Sequence, residues 1–319
     1  MCSSATALRP KRAPLSIVRS KLLTPTIFHE PWWLAIASDG AYREAKVVTN
    51  GVVLGRLPYL LSGKTAGQNA VIMPDMTHVL GPALGTEGGD STRSLKHFTI
   101  TSELIAQLPK AAHTWFRLHR GVTDTLAFEA AGFSTGVDFT IEVAPDASDK
   151  LWKRMRDKTR NVIRRAGESL SVVECHDAAR FLRFYDTNLA DRGMRNQYNR
   201  EVCTKLIVAC LARAVGRLLI ASDASGALKA GVFTVLDGET EYYFMSTRTL
   251  DSGNGATSLL IWSAIQHAAA LGLTFNTDGL NSKNNLLLLT GFGGVLKPRY
   301  FVSKTSKIYQ TAQFLKGLF

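Results

Sequence analysis

Residues 242–300 read YYFMSTRTLDSGNGATSLLIWSAIQHAAALGLTFNTDGLNSKNNLLLLTGFGGVLKPRY. Their hydrophobic pattern predicts, in order, a strand at 241–247, a loop, an apolar helix at about 256–271, a strand at 273–277, a Leu-rich helix to 290 and a strand from about 296. Glycines in a loop that precedes a helix leave backbone N–H groups free at the positive end of the helix dipole. The loop therefore suits a pyrophosphate group.

Three short motifs of this stretch are SGNGATSLLIW at 252–262, FNTDGLN at 275–281 and LLTGFGG at 288–294 with Tyr300 after it, and a fourth, KTRNVIRRA, lies earlier in the chain at 158–166. Together they resemble the GNAT acyltransferase fold in its FemABX-like branch, together with acetyltransferase-type proteins of polysaccharide biosynthesis. Four positions depart from the family pattern or vary it. Asn276 stands for an acidic residue, Leu280 for serine, Thr290 for a basic residue and Asp278 for glutamate.

An internal repeat points in the same direction. Phe116 and Phe275 are 159 residues apart, and so are Gly132-Phe133 and Gly291-Phe292, each within a strand–helix–strand pattern. The sequence therefore predicts an α/β fold with two tandem GNAT-like units, each a mixed sheet flanked by helices. The predicted parts are a basic, flexible tail (1–24), a degenerate first unit (25–145) and a second unit that binds the donor and carries catalysis (146–319).

The pattern also predicts elements outside the opening stretch. Asn50-Gly51 indicates a hairpin, and residues 101–108 form a predicted helix with Thr101 or Ser102 as its cap. One amphipathic helix is expected from Asp149 to about 170, with a basic stripe on its exposed side. Two more helices, 178–190 and 200–214, precede three antiparallel strands.

The composition of the chain and its net charge limit the classes of function that it can have. The 319 residues include 38 Lys and Arg against 26 Asp and Glu, a net charge of +12, which favours anionic partners. Four scattered cysteines predict reduced thiols and a cytoplasmic protein. The N-terminus lacks a signal-peptide core, and the most apolar window, 259–275, fits a buried helix better than a transmembrane segment. No metal-binding, Walker A or nucleophile-elbow motif is present in the sequence, and we expect no metal.

The resemblance implies an acyl transfer in which donor and acceptor are held side by side. The implied donor is acetyl-CoA or another acyl-CoA, with aminoacyl-tRNA as the alternative. Catalytic candidates are Asp278, which would deprotonate or orient the acceptor, and Tyr300 or Tyr243, which would protonate the leaving group. The donor-binding candidates are Phe244, Met245, Ser246, Ser252, Gly253, Asn254, Gly255, Ala256, Thr257 and Ser258. The acceptor-binding candidates are Lys158, Arg160, Arg164 and Arg192.

Each candidate also has an ordinary structural explanation. The loop could simply cap a helix, Asp278 before glycine could be a turn residue, the tyrosines could be core aromatics and the basic stripe a solvated helix face. The run RTLDSGN at 248–254 lacks the Q/RxxGxG/A signature of acetyl-CoA-binding GNAT enzymes.

Two functions follow from these readings. The first is acyl transfer, with an acetyl or aminoacyl group, to an amine or hydroxyl of a cell-envelope or polysaccharide-type acceptor. Such an acceptor would be an anionic small molecule, glycan or peptide. Relatives suggest tRNA as a further partner, and the basic charge of the chain and of its N-terminal tail suggests contact with an anionic membrane surface. The alternative is a non-catalytic GNAT-fold protein that binds an anionic polymer or membrane surface.

Overall fold

A computed structural model describes residues 23–65, 68–85, 90–253, 255–280, 283–307, 309 and 311; the predicted tail lies almost entirely outside them. The described strands are β1 Tyr42–Thr49, β2 Val52–Thr65, β3 Gln68–Ile72, β4 Ala83–Leu84, β5 His113–Arg117, β6 Ser134–Val143, β7 Ser171–Cys175, β8 Gly216–Ser222, β9 Leu228–Leu236, β10 Thr240–Arg248, β11 Thr274–Asn276 and β12 Val295–Thr305. The described helices are α1 Pro31–Ala37, α2 Asp90–Ala106, α3 Leu126–Ala130, α4 Ser148–Arg154, α5 Asp157–Ser169, α6 Ala178–Ala190, α7 Arg200–Ala212, α8 Gly255–Ala270 and α9 Lys283–Leu289, with short 3₁₀ turns at Ile27–His29 and Thr290–Phe292.

All twelve described strands belong to one mixed sheet. Its order is β1-β2-β3-β5-β12-β6-β11-β10-β9-β8-β7, and β4 pairs with β2 away from this path. The predicted α/β class, a mixed sheet flanked by helices, is confirmed. The strands of the two halves join into a single sheet, because each half inserts its last strand into the other: β12 lies between β5 and β6, and β6 lies between β12 and β11.

The pairing of the strands reproduces the 159-residue repeat seen in the sequence. Phe275 pairs with Val143, and the positions that correspond to them in the other half, Phe116 and Val302, pair in the same way. The two exchanged strands pair antiparallel with each other, Glu142 opposite Val295 and Gly136 opposite Phe301. The repeat maps the first of these pairs onto the second. The two halves are therefore related by a local twofold axis between β6 and β12.

The two faces of the sheet are covered differently. On one face, α8 packs with α5 and with Ile141, Val143 and Phe275 in an apolar cluster. Because side chains alternate along a strand, Asp138, Thr140 and Glu142 of β6 point to the opposite face. On that second face, α1, α6 and α7 cover the β8–β10 end of the sheet. The middle of the second face is polar and forms the site described below.

Two predicted helices had wrong boundaries, and the edge strand β7 was not predicted. The helix predicted at 101–108 begins at Asp90, so Thr101 and Ser102 lie in its interior. Its early turns include the exposed Leu95 and Phe98 and show no apolar stripe. Gly55 of β2 lets Ile100 of this helix approach, since a Cβ there would lie 2.5 Å from Ile100 Cγ2.

The single helix predicted from Asp149 is two helices, α4 and α5. Met155 and Arg156 are extended between them, and the Arg156 N–H bonds to the Gly291 carbonyl at 3.0 Å instead of continuing a helix. The edge strand β7 was missed, because only two of its five residues are even partly buried.

Candidate active site

The candidate site lies where β10 and β11 separate. These parallel strands pair over three residues only, Thr240–Tyr242 against Thr274–Asn276. β11 then ends, while β10 continues to Arg248, and no described strand pairs with that side of β10 beyond Tyr242. A wedge-shaped opening therefore exposes one backbone edge of β10, which an extended ligand can use as a strand would.

A β-bulge marks the start of the opening. The register of β10 against β9 shifts between Tyr243 and Met245, so Phe244 has no partner on β9. Bulges bend a strand and re-aim its side chains. The Phe244 ring stacks on His78, with centroids 4.1 Å apart and an interplanar angle of 10°. The predicted donor residues Phe244 and Met245 thus contribute backbone to the opening and buried side chains to the core.

The loop after β10 leads to the N-terminus of α8, as predicted. Ser252 Oγ donates to the Thr249 carbonyl at 3.0 Å, Gly253 adopts φ +56°, and Gly255 begins the helix. Asn254 lies outside the described residues. In the first turn, Ala256 and Ser258 are buried, and the buried Thr257 hydroxyl has no hydrogen-bond partner among the described residues. An unpaired hydroxyl beside the free N–H groups of a helix N-terminus can donate hydrogen bonds to the oxygens of a phosphate group.

A cavity of about 430 Å³ opens beside this turn, between α5 and the loop. Arg165 and Lys229 supply positive charge to it, but Lys229 already pairs with Asp251 at 2.9 Å and Asp223 at 3.5 Å. Gly255 packs against α5, where an added Cβ would lie 3.4 Å from Ala166. The fit to a phosphate group therefore rests on backbone amides, Thr257 and Arg165, since Lys229 is already paired.

Asp278 lies just past the end of β11, on the polar face of the sheet. It is 7% exposed and has φ +52°, a left-handed conformation that Asp tolerates better than most residues. Its Oδ1 contacts Arg299 Nη1 and its Oδ2 contacts His78 Nδ1. Burial alone would raise the pKa of Asp278, but His78 and Arg299 outweigh it and hold that pKa well below its usual range. Asp278 is therefore a fixed carboxylate and a weak base.

A chain of ion pairs extends from Asp278 across the local twofold axis. Arg299 Nε donates to Asp138 Oδ1 at 3.0 Å, and Arg117 Nε donates to Asp138 Oδ2 at 2.8 Å. Asn276 supports the other end: its Oδ1 accepts from the Asp278 N–H at 2.9 Å and from Thr140 Oγ1 at 2.7 Å. Three strands and the end of a fourth thus hold one carboxylate in place.

A second cavity, of about 250 Å³, opens on this polar face next to the ion-pair chain. Its walls carry charged and polar side chains from several elements: His119, Arg120, Glu142, Asn276, Lys297 and Arg299. Burial lowers the pKa of His119 to about 4, so this ring is neutral at pH 7. Arg120 contacts Glu142 at 3.4 Å, whereas Lys297 is exposed. The cavity therefore offers a place for a polar or anionic acceptor beside Arg299.

The predicted tyrosines are not brought to Asp278. Tyr243 donates from its hydroxyl to Ser246, packs on the α8 side of the sheet, and has a pKa raised to about 12 by burial. Tyr300 follows Arg299 on β12, so its side chain points to the opposite face, where it packs against the core of the first half.

Three of the four predicted acceptor-binding residues, Lys158, Arg160 and Arg164, belong to α5 and so lie on the α8 side, whereas Arg192 follows α6. Arg160 and Arg192 bond to backbone carbonyls of other elements. Arg160 Nη1 donates to the carbonyls of Lys153 and Met155, each at 3.0 Å, and so closes the end of α4. Arg192 Nη2 donates to the Arg248 carbonyl at 2.7 Å, at the end of β10. Arg164 bonds to Asn161, and Lys158 is exposed.

His78, Arg299 and Asp138 were missed by sequence reasoning. His78 is a single histidine in the loop after β3, with no spacing motif around it, and the two others are ordinary strand residues. The signal that could have found Arg299 and Asp138 is the repeat, since it predicts that β6 and β12 occupy equivalent positions. Within the described residues, no three His, Cys, Asp or Glu side chains cluster as a metal site requires.

Comparisons with known proteins agree with this geometry. Residues 136–277 match the acetyltransferase (GNAT) domain family. No curated protein matches the chain in sequence. The structure of FemX superposes with a TM-score of 0.64 at 12% identity, over 87% of this chain and 92% of FemX.

Two further structures are also similar. The C-terminal domain of a predicted lysylphosphatidylglycerol synthetase from Agrobacterium fabrum has a TM-score of 0.59 at 11% identity, over 89% of each chain. L-PGS from Bacillus licheniformis has a TM-score of 0.51 at 12% identity, over 90% of this chain and 91% of that protein. At this level of identity, these structures show that the fold is shared.

Proposed function

We propose that this chain, a GNAT-fold protein of FemX-like architecture, transfers an acyl group from an activated donor to an amine or hydroxyl of a cell-envelope-type acceptor. The observation that carries the proposal is the opening between β10 and β11, with the bulge at Phe244 at its start and the N-terminus of α8 at its end. An extended acyl arm and a phosphate group can be held at these two places at once. Proximity of the two substrates then supplies much of the rate.

The donor would lie along β10. Backbone groups of Phe244 to Ser246 would bond to its acyl arm, as an added strand does. The N–H groups at the start of α8 and the Thr257 hydroxyl would bind its phosphates. Acetyl-CoA or another acyl-CoA fits this arrangement, and aminoacyl-tRNA is the second donor class.

The acceptor would enter from the opposite side, through the polar cavity beside Arg299. The cavity contains Arg120 and Lys297, which suit an anionic group. Similarity to the C-terminal domain of the lysylphosphatidylglycerol synthetase supports an acceptor of the envelope type, as does the net charge of +12. Among the described residues, no helix has both the length and the hydrophobicity to cross a membrane.

Calorimetric titration tests the donor site. We expect saturable binding of acetyl-CoA that survives moderate salt in the wild-type protein. Thr257→Val keeps the shape of the side chain and removes the hydroxyl, so it should weaken binding about 10-fold or more, the effect of one hydrogen bond to a charged group. Thr204→Val, on the exposed side of α7, is the matched control and should bind normally.

Two results would count against an acyl-CoA donor. One is the absence of binding, and the other is binding that fades with salt as it does for any polyanion. Titration with an aminoacyl-tRNA would then separate the second donor class from a non-catalytic binder. Equal affinity for acylated and deacylated tRNA, with no loss of the acyl group, would favour the binder.

A further inference from the structure

His78 occupies the narrow end of the opening between β10 and β11. Its ring stacks on Phe244 of the bulge, at 4.1 Å, and also contacts Phe28 of the first 3₁₀ turn, at 5.5 Å. The side chain is 18% exposed, so most of it is enclosed while part reaches solvent. Two aromatic contacts from separate elements fix the plane of this ring.

Asp278 fixes the orientation of the ring within that plane. Its Oδ2 contacts Nδ1, and its other oxygen is held by Arg299, which Asp138 holds in turn. A carboxylate only accepts hydrogen bonds, so this ion-pair contact favours the neutral form of the ring that carries its proton on Nδ1. The lone pair then resides on Nε2, for which no hydrogen-bond partner is present among the described residues. A histidine with one nitrogen held by a carboxylate and the other free is the arrangement of a general base.

We propose that His78 is the catalytic base of this site and that Asp278 and Arg299 are its positioning residues. This inference rests on the proposed acyl transfer. His78 Nε2 takes the proton from the acceptor amine or hydroxyl as its nitrogen or oxygen attacks the donor carbonyl. The new acyl–nitrogen or acyl–oxygen bond forms, and the bond from the carbonyl to the thiolate or ribose oxygen breaks. The leaving group then receives the proton from Nε2, so the protein returns to its starting state.

The position of His78 agrees with the geometry of both substrates. It touches the bulge of β10, where the donor carbonyl would bind. The next residue, Val79, and Arg299, which holds Asp278, both line the polar cavity. Asp278 is the titratable group that contacts His78, and Arg299 lies behind that carboxylate. Tyr198 is close enough to be affected by the charge of Asp278. Burial, with contributions from Cys203 and Asp278, raises the pKa of Tyr198, so it stays neutral at pH 7.

Three variants test the assignment, with hydrolysis of acetyl-CoA as the readout because water can replace the unidentified acceptor. If an aminoacyl-tRNA is the donor that binds, its deacylation is measured instead. His78→Gln should lower turnover about 100-fold or more, the usual contribution of a general base, and leave donor affinity within twofold. Asp278→Asn should lower turnover less. His176→Gln, at an exposed histidine before α6, should have no effect.

The pH profile separates a base from a structural histidine. In the wild-type protein, turnover should fall at acid pH as one group is protonated, and His78→Gln should remove this fall from the residual activity. Turnover within threefold of wild type in His78→Gln, or an unchanged acid limb, would overturn the assignment. Loss of donor binding in His78→Gln would also overturn it, since the residue would then serve the fold or the donor site.

If the wild-type protein shows no acyl transfer or hydrolysis, a spectroscopic measurement can still test the assignment of His78. Nitrogen-15 spectra of labelled protein, with the His78 signals identified by their absence in His78→Gln, report which ring nitrogen carries the proton. We expect the Nδ1–H form in the wild type and a shift toward Nε2–H in Asp278→Asn. An Nε2–H form in the wild type would overturn the inference. An Nδ1–H form without any donor binding would support the base and contradict the proposed donors.

Discussion

Asn276 shows how one side chain can set the conformation of a site. Its Oδ1 accepts from the Asp278 N–H, and its Nδ2 donates to Glu142 Oε1 at 3.3 Å. The resemblance places an acidic residue here, but a second carboxylate could not donate to Glu142. The asparagine is therefore matched to its neighbour on β6.

Asn276→Asp should destabilise the protein at pH 7 by about 1–3 kcal/mol, because it removes a buried donor and sets two carboxylates against each other. The loss should be smaller at pH 5, since a proton shared by the two carboxylates relieves the repulsion. Urea denaturation at both pH values measures it. Asn161→Asp, exposed on α5, is the control, and an equal loss at the two pH values would contradict this explanation.

At the level of secondary structure, the junction between α4 and α5 sets the direction of α5, the helix that carries the basic stripe. The last carbonyls of a helix need partners, and Arg160 supplies them for α4 through a single guanidinium nitrogen. Arg164, one turn further along, bonds only to Asn161 of its own helix. Two arginines of one stripe thus have different roles.

Arg160→Met should lower the free energy of unfolding by about 1–2 kcal/mol, the value of two surface-level hydrogen bonds to carbonyls. Arg164→Met should change it by less than about 0.5 kcal/mol. Neither variant should change donor affinity in the titration. A fall in affinity with both variants and no change in stability would instead assign the stripe to ligand binding.

Sequence reasoning succeeded where local pattern determines structure. The strand–loop–helix order of 240–289 follows from apolar runs and turn glycines, and the repeat predicted the equivalence of β6 and β12. It failed where a residue distant in sequence determines the local conformation. The hydrogen bond from the Arg156 N–H to the Gly291 carbonyl ends a helix that the hydrophobic pattern alone would continue. The loop before α8 and Asp278 could be predicted as site candidates. His78 could not, because its contact with Asp278 exists only in three dimensions.

At the scale of the whole molecule, the exchanged strands make each half depend on the other. Without β12, both β5 and β6 would lose a neighbour and expose unpaired backbone groups. We expect residues 1–146 expressed alone to be insoluble, and co-expression with residues 147–319 to restore a soluble complex.

A cleavable version of the full chain is the control for that experiment. A protease site placed at residues 145–147, in the exposed connection between β6 and α4, should be cut without separating the two pieces. Size-exclusion chromatography of the cut protein measures this. A first half that is monomeric, soluble and cooperatively folded by itself would contradict the interdependence.

The strand exchange also constrains how the protein is made. A ribosome delivers β5 and β6 long before β12, which begins at Val295, close to the end of the chain. Until then the growing polypeptide has a gap in its central sheet, bordered by two open edges of the kind that promote aggregation. Final folding of the sheet must therefore wait until β12 has been synthesised. Synthesis in the cell should accordingly depend on chaperones that shield nascent polypeptides, and truncation shortly before residue 295 should be more damaging than its length suggests.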